Sequence, residues 1–278
     1  MNMVRTLPVS EIFGPTIQGE GPLVGSRTMF LRTAYCDFDC GAGGGKFVCD
    51  TQYAIHPSKP GWKMKRMTVN DIMERLFELG ATKGDLLAIS GGNPAMYLDH
   101  DTARALAGVF KLTIETQGSI PLKIDVSAHL HCVVISPKPP SSNMHTRMKV
   151  DTVVQLLSER YGAPGITCLK YVAFDDADLE WISDFDSDVR TRYIDVNADE
   201  VDHEYERIVK FLSVGSPVDP TMPLAEFRRV LLDDTAKLYN TIATDPRFHS
   251  FRGSPQMHAL AWGPKGEADG AYKEKHDE

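Results

Sequence analysis

Cys36, Cys40 and Cys49 place three of the chain's five cysteines within fourteen residues, as Cys36-Asp-Phe-Asp-Cys40, eight intervening residues, then Cys49-Asp50-Thr51. Three thiolates without a fourth suit an iron–sulfur cube. The protein then holds three irons, and the fourth stays open to bind and reduce a second molecule. The run Gly41 to Gly45 suits a backbone that wraps closely around such a group. The same thiols admit a structural zinc site with His56 as fourth ligand, because Cys/His sets of four close a tetrahedron. Their spacing, however, departs from the paired C-x2-C knuckles of common zinc ribbons. A disulfide framework is not expected: the cysteines are few, no apolar leader is recognised after Met1, and 278 residues can build their own core.

The elements that must position these cysteines alternate between strand and helix. Thr28–Ala34 reads as a buried strand that ends at the first cysteine. Thr68–Leu79 reads as an amphipathic helix with Thr68 as N-cap, Asp71 in its first turn and Gly80 as its stop. Leu86–Ser90 is a second strand, running into Gly91-Gly92-Asn93-Pro94, and a helix over about Asp101–Phe110 follows. Leu112–Glu115 and Cys132–Ser136 are the third and fourth strands, with a helix over Val150–Tyr161. Cys168–Phe174 is the fifth strand, Asp176–Phe185 a helix, Arg192–Val196 a sixth strand and Val201–Leu212 another helix. Gly215–Met222 reads as a connector, and Pro223–Thr244 as a last helix before a tail with Pro255 to Gly263.

This alternation predicts an α/β fold, a partial (open) βα barrel of about six mainly parallel strands with a C-terminal helical and tail extension. A full eight-fold barrel takes about 250 residues on its own. One domain is expected over 1–278, with the core at about 8–214 and the extension at about 215–278. Cys36, Gly91, Glu115, Ser136, Asp175 and Asn197 fall just after strand ends, the edge that carries the site in parallel α/β folds. A hydrophobic content of 42% and a charged content of 24% fit a soluble globular protein. No stretch approaches the eighteen apolar residues of a membrane span. A formal charge of −8 argues against a broad nucleic-acid face, and a reducing cytoplasm is expected. Cys132 and Cys168 read as buried core thiols, and Asp175-Asp176 as a helix N-cap pair.

Seven stretches together resemble the 7-carboxy-7-deazaguanine synthase family, within the radical S-adenosylmethionine (SAM) enzymes, from about Pro8 to Gly263. They are Glu11–Gly21 (EIFGPTIQGEG), Met29–Ala34, Cys49-Asp-Thr51, Ser90–Ala95 (SGGNPA), Ile114–Gly118 (IETQG), Ile135–Ser142 (ISPKPPSS), and Pro255-Gln256 with His258 and Trp262-Gly263. A lone Gly-Gly-Asn-Pro would be weak; the set in order is specific. The chain departs from the family in three places. Its second cysteine gap is eight residues where the family has two, so six are extra. Tyr35 stands in place of a Gly before the first cysteine. Asn93 stands where many radical SAM enzymes carry Glu.

The resemblance implies a 4Fe–4S cluster on Cys36, Cys40 and Cys49 that reductively cleaves SAM. It further implies a radical ring contraction of 6-carboxy-5,6,7,8-tetrahydropterin to 7-carboxy-7-deazaguanine with loss of ammonia. SAM would meet Val48 (or the bulkier Phe47), Gly91, Gly92, Asn93, Glu115, Ser136 and Lys138. The pterin would meet Gln18, Glu20, Arg27 as a bidentate carboxylate fork, and His258. Arg32 is a second candidate for the carboxylate, or a structural ion pair. Mg2+ would sit at Thr51, with Asp50 shaping the loop. An electron donor such as flavodoxin or ferredoxin and a homodimer are implied partners. A competing enzyme reading is an activating enzyme that puts a glycyl radical on a partner protein, which turnover on the pterin alone would exclude. The non-enzymatic reading is a zinc-stabilised interaction protein, which would be colourless and free of sulfide.

Overall fold

The computed structural model describes residues 5–44, 46–47, 49–197, 205–216 and 222–263. One nine-stranded sheet organises it. In chain order the strands are β1 (Leu7–Ile17), β2 (Arg27–Thr33), β3 (Lys65–Met67), β4 (Leu86–Gly91), β5 (Lys111–Thr116), β6 (Leu130–Ile135), β7 (Ile166–Ala173), β8 (Val209–Val214) and β9 (Phe251–Ser254). Their spatial order is β3-β1-β2-β4-β5-β6-β7-β8-β9. β1 pairs antiparallel with β2 and β3; every pairing from β2 to β9 is parallel. The helices are α1 (Gln52–Ile55), α2 (Val69–Glu78), α3 (His100–Ala107), α4 (Val150–Ser158), α5 (Asp176–Asn197), α6 (Leu224–Thr244) and α7 (Met257–Trp262).

The two-residue period of the strands separates core from cavity. Met29, Leu31, Leu87, Ile89, Leu112, Ile114, Val133, Ile135, Leu169 and Tyr171 point to one face and share a core with Ile72, Leu76, Leu106, Val153, Leu157, Ile182, Phe227 and Leu231 of the helices. The alternate residues face inward. Cys132, Val134, Cys168 and Phe211 form a small separate apolar cluster there, while Phe30, Val134, Lys170 and Val172 line an open cavity. Both extra cysteines are fully buried in this inner cluster.

The open, largely parallel α/β sheet is the expected architecture, but it has nine strands where about six are expected: β1, β3 and β9 add to it, and two further segments change type. Arg192–Val196 is not a strand but the last turns of α5. The buried positions Asp178, Ile182, Phe185, Asp186, Val189 and Tyr193 keep a helical period through it. The expected helix Val201–Leu212 is overturned by β8, whose buried run is typical of a parallel strand covered on both faces. Residues 201–204 of that segment lie outside the described residues. The expected helix at Thr68 begins with a capping box: Thr68 Oγ1 accepts from the Asp71 amide at 3.2 Å, and Asp71 accepts from the Thr68 amide at 2.8 Å.

The first turn of α5 fixes the edge where the site forms. Asp175 Oδ1 accepts from the Asp178 amide at 3.0 Å, as an N-cap. Asp178, fully buried, accepts from the Ser141 amide at 2.9 Å and from the Phe174 amide at 2.8 Å. One carboxylate thus ties the loop after β6 to the end of β7. Asp178→Ala leaves two buried N–H groups without partners and is expected to lower the unfolding free energy by about 2–3 kcal/mol, measured by urea denaturation.

Candidate active site

The sheet's C-terminal edge and its inner face enclose a cavity of about 500 Å³. Cys36, Cys40 and Cys49 stand on one wall of it, all as free thiols. The chain reaches Cys36 directly from β2, and the Cys36 amide is held by the Ile55 carbonyl at 3.1 Å. The expanded loop is fastened to the loop after β6. The Gly41 and Phe47 backbone amides donate to the Ser142 and Ser141 carbonyls at 3.0 and 3.1 Å, and Asn143 Nδ2 donates to the Ala42 carbonyl at 3.0 Å. Burial pushes the Cys36 thiol up to about 12, with Asp37 and the other two cysteines adding to the effect. Burial also pushes Cys40 up to about 11, against the pull of Lys138, and raises Cys49. These three thiols sense one another, and each would exchange its proton for a metal on ligation.

The donor set fits a cluster. It offers three soft sulfurs on one wall, and among the described residues no fourth cysteine or histidine lines the cavity except His258 at the opposite end. His56 does not line this wall: its side chain is exposed and its Nδ1 lies 2.8 Å from Ser58 Oγ. Among the described residues no group of three His, Cys, Asp or Glu side chains converges on a single ion. Thr51 is buried against Cys49, its Oγ1 3.3 Å from the sulfur, and Asp50 also lines the cavity. Val48 lies outside the described residues; Phe47 is on the cavity wall, edge-on to Phe174 at 5.6 Å.

Gly91 ends β4 and Gly92 follows it, and both present bare backbone to the cavity. A Cβ on Gly92 would lie 1.8 Å from the Tyr35 carbonyl oxygen, so only glycine lets this turn seat under the first cysteine. Glu115, Ser136 and Lys138 line the cavity beside it, with Lys138 Nζ 3.4 Å from Ser136 Oγ. Asn93 does not line it. The side chain is fully buried and its amide is used internally: Oδ1 accepts from Thr116 and from the Ala95 amide, and Nδ2 donates to Asp37 and Ser119. The expected direct contact of Asn93 with SAM is therefore corrected to a supporting position.

At the opposite end, Gln18, Glu20 and His258 come together from distant parts of the chain. Gln18 Nε2 donates to Glu115 Oε1 at 2.9 Å. Glu20 is ion-paired with Lys170 of β7 and accepts from Gln256 Nε2 at 2.6 Å. Burial alone would raise the Glu20 carboxyl, but Lys170 and His258 outweigh it and hold the group down at about 2. Gly19 permits the closure: a Cβ there would lie 2.3 Å from His258 Nδ1, and its carbonyl accepts from the Met257 amide at 3.0 Å.

Arg27 does not join this end. It starts β2, at the far edge of the sheet, and is half exposed, bonded to Asp85 and to the Gly80 carbonyl. The arginine that lines the cavity is Arg32, five residues further along the strand. Its Nε donates to Glu11 at 2.7 Å, and its guanidinium lies over the Phe13 and Tyr53 rings. Among the described residues its two terminal nitrogens carry no protein hydrogen bond, so the fork is free for a ligand carboxylate.

No protein-family model matches the chain. A Bacillus cereus 7-carboxy-7-deazaguanine synthase is 34% identical over 262 residues, covering 93% of this chain and 98% of that protein. The Bacillus subtilis 7-carboxy-7-deazaguanine synthase is 34% identical over 266 residues, covering 95% and 99%. The chain belongs to the 7-carboxy-7-deazaguanine synthase family. The crystal structure of Escherichia coli QueE matches with a TM-score of 0.59 at 19% identity, covering 91% of this chain and 95% of that one, which is agreement of fold.

Sequence reading missed Lys170 and gave Gln256 no role beyond its place in the last matching stretch. A lysine inside the apolar strand Cys168-Leu-Lys-Tyr-Val172 was the available signal, because a charge there must find a partner. Removing only one charge of the Glu20–Lys170 pair strands the other. Glu20→Gln is expected to cost about 3–5 kcal/mol, and Glu20→Gln with Lys170→Met to recover most of it, by chemical denaturation of all three proteins. Because the folded carboxyl is depressed, its contribution is present above pH 4.5, the unfolded value, and fades as pH falls toward about 2. The wild-type loss of stability below pH 4.5 should therefore be blunted in the double variant.

Proposed function

We propose that this chain is a 7-carboxy-7-deazaguanine synthase, converting 6-carboxy-5,6,7,8-tetrahydropterin to 7-carboxy-7-deazaguanine with loss of ammonia in 7-deazapurine (queuosine) biosynthesis. The observation that carries the reading is family membership over nearly the whole chain, joined to a cavity lined by three thiols, by Arg32 and by the polar set Gln18, Glu20 and His258. Cys36, Cys40 and Cys49 would hold a 4Fe–4S cluster, with SAM beside it. When bound, the two supply a carbon radical that takes a hydrogen from the substrate.

The chain's own residues bind, orient and shield. Gly91 and Gly92 offer backbone carbonyls to the SAM amino group without side chains in the way. Lys138 is a cation for its carboxylate and Ser136 a hydroxyl partner. Glu115 accepts from ribose hydroxyls. Phe47, held edge-on by Phe174, gives the adenine an apolar surface. Arg32, beside Tyr53 and Gly91, takes the pterin carboxylate in place of Arg27. Gln18 and Glu20 read the ring's amide and amino edge, since each Glu20 oxygen keeps a lone pair beyond its bond to Lys170 or Gln256. His258 closes that side. Thr51 would supply an oxygen to Mg2+, a hard cation that takes oxygen donors, and Asp50 would shape that turn.

Electrons come from an external carrier such as flavodoxin or ferredoxin, and the enzyme works as a cytoplasmic homodimer. Among the described residues no helix is long and apolar enough to cross a membrane. The test is anaerobic reconstitution with iron and sulfide, then turnover of the pterin with SAM, with and without Mg2+. Formation of 5′-deoxyadenosine and 7-carboxy-7-deazaguanine is expected. SAM cleavage without the deazapurine would reject the substrate. Arg32→Ala is expected to raise KM for the pterin about 30-fold or more, as loss of a bidentate charge pair of roughly 2 kcal/mol or more. Arg27→Ala should leave KM unchanged.

A further inference from the structure

Asp37, between the first two cysteines, sits in an unusual setting for a carboxylate. Its Oδ1 accepts from two neutral amides, Asn93 Nδ2 at 2.8 Å and Gln117 Nε2 at 2.7 Å. Among the described residues no cation is paired with it. Gln117 is itself buried, and the same Nε2 lies 3.5 Å from Cys36 Sγ, so one amide group spans the carboxylate and the sulfur. Asn93 cannot turn away, because Thr116 Oγ1, the Ala95 amide and Ser119 hold both ends of its amide.

We propose that Asp37, Asn93 and Gln117 form one positioning unit for the cluster ligand Cys36, in which Asp37 supplies the single carboxylate and the two amides supply the donors. The proposal rests on the reading that these cysteines hold a cluster. Asp37 orients the Gln117 amide, and Gln117 directs an N–H at the Cys36 sulfur. Hydrogen bonds to cluster sulfurs favour the reduced, more negative state and raise the potential; a fixed carboxylate nearby opposes reduction. The unit matches one carboxylate to two amide donors. A carboxylate at 93 would remove the donor that Nδ2 gives to Asp37 and Ser119 and set two acceptors against each other. Carboxylate and amide should therefore be exchangeable between positions 37 and 93, but not duplicated.

Four variants, reconstituted anaerobically, test this by iron and sulfide content and by the cluster midpoint potential followed by electron paramagnetic resonance. Gln117→Leu is expected to shift the potential negative, and Asp37→Asn to shift it positive. Asn93→Glu is expected to hold less than about one-fifth of the wild-type iron, and Asn93→Glu with Asp37→Asn to recover more than about half. An Asn93→Glu protein with full iron, or a double variant no better than the single, overturns the swap. An unchanged potential in Gln117→Leu overturns the positioning role, and this variant carries the test should Asn93→Glu not fold. Wild-type protein that takes up no iron would instead reject the cluster reading itself.

Discussion

The buried ion pair between Glu20 and Lys170 is the constraint on which the site depends. Lys170 lies in the middle of β7 on the inner face, and Glu20 follows β1, 150 residues earlier. Two charges leave water together only if each is satisfied in place. The loop after β1 must therefore cross the open side of the curved sheet, and it brings Gln18 against Glu115 of β5. The C-terminal segment follows for the same reason. Gln256 completes the Glu20 carboxylate, the Met257 amide bonds to Gly19, and His258 packs where only a glycine leaves room. An apolar pair could hold these segments as firmly. What the charges add is a polar, fixed end to a cavity whose other surfaces include Phe13, Phe30 and Val134, as recognition of a flat polar ring requires.

The period-two alternation of the strands assigns labour between the faces. Odd positions of β2 and β4 build the helix-covered core, and the intervening ones build the cavity. Each parallel strand ends at the same edge, where the Gly91-Gly92 turn, Glu115 and Ser136 sit side by side. Helix α5 secures this edge from outside through Asp178, and the prolines at 137, 139 and 140 stiffen the loop it holds. The thiol wall rests on that same loop, so core, edge and cluster-bearing segment form one connected support.

Much of this was legible because it is local in sequence. The cysteine wall, the Gly-Gly turn, the Ser136–Lys138 segment and the capped helix at Thr68 each depend on a few neighbouring residues. What was not legible depends on distance. Arg27 and Arg32 belong to one strand and differ by five residues, about 16 Å along its length, which places them at opposite edges of the sheet. Residue chemistry alone cannot rank them. Lys170 could be suspected, but not paired, from sequence. β8 looked helical because a strand covered on both faces has no alternation to reveal it, and the end of α5 looked extended because its β-branched residues outweighed a period visible only over the whole helix.

The long cysteine loop follows from the same support. Lengthening the gap from two to eight residues is two doublings, which costs about 1.2 kcal/mol of closure entropy. Three added hydrogen bonds, from Gly41, Phe47 and Asn143, contribute roughly 0.5–1.5 kcal/mol each. The exposed Lys46–Asp175 pair adds little. The balance is near zero or favourable, so the extra residues need not displace the cysteines. They also bring Phe47 to the cavity wall, where Phe174 orients its ring and Lys138 Nζ lies 5.7 Å from its centre. The insertion is thus a solvent-side detour between two fixed points. The points are fixed because the loop they bond to is itself held by a buried carboxylate on α5.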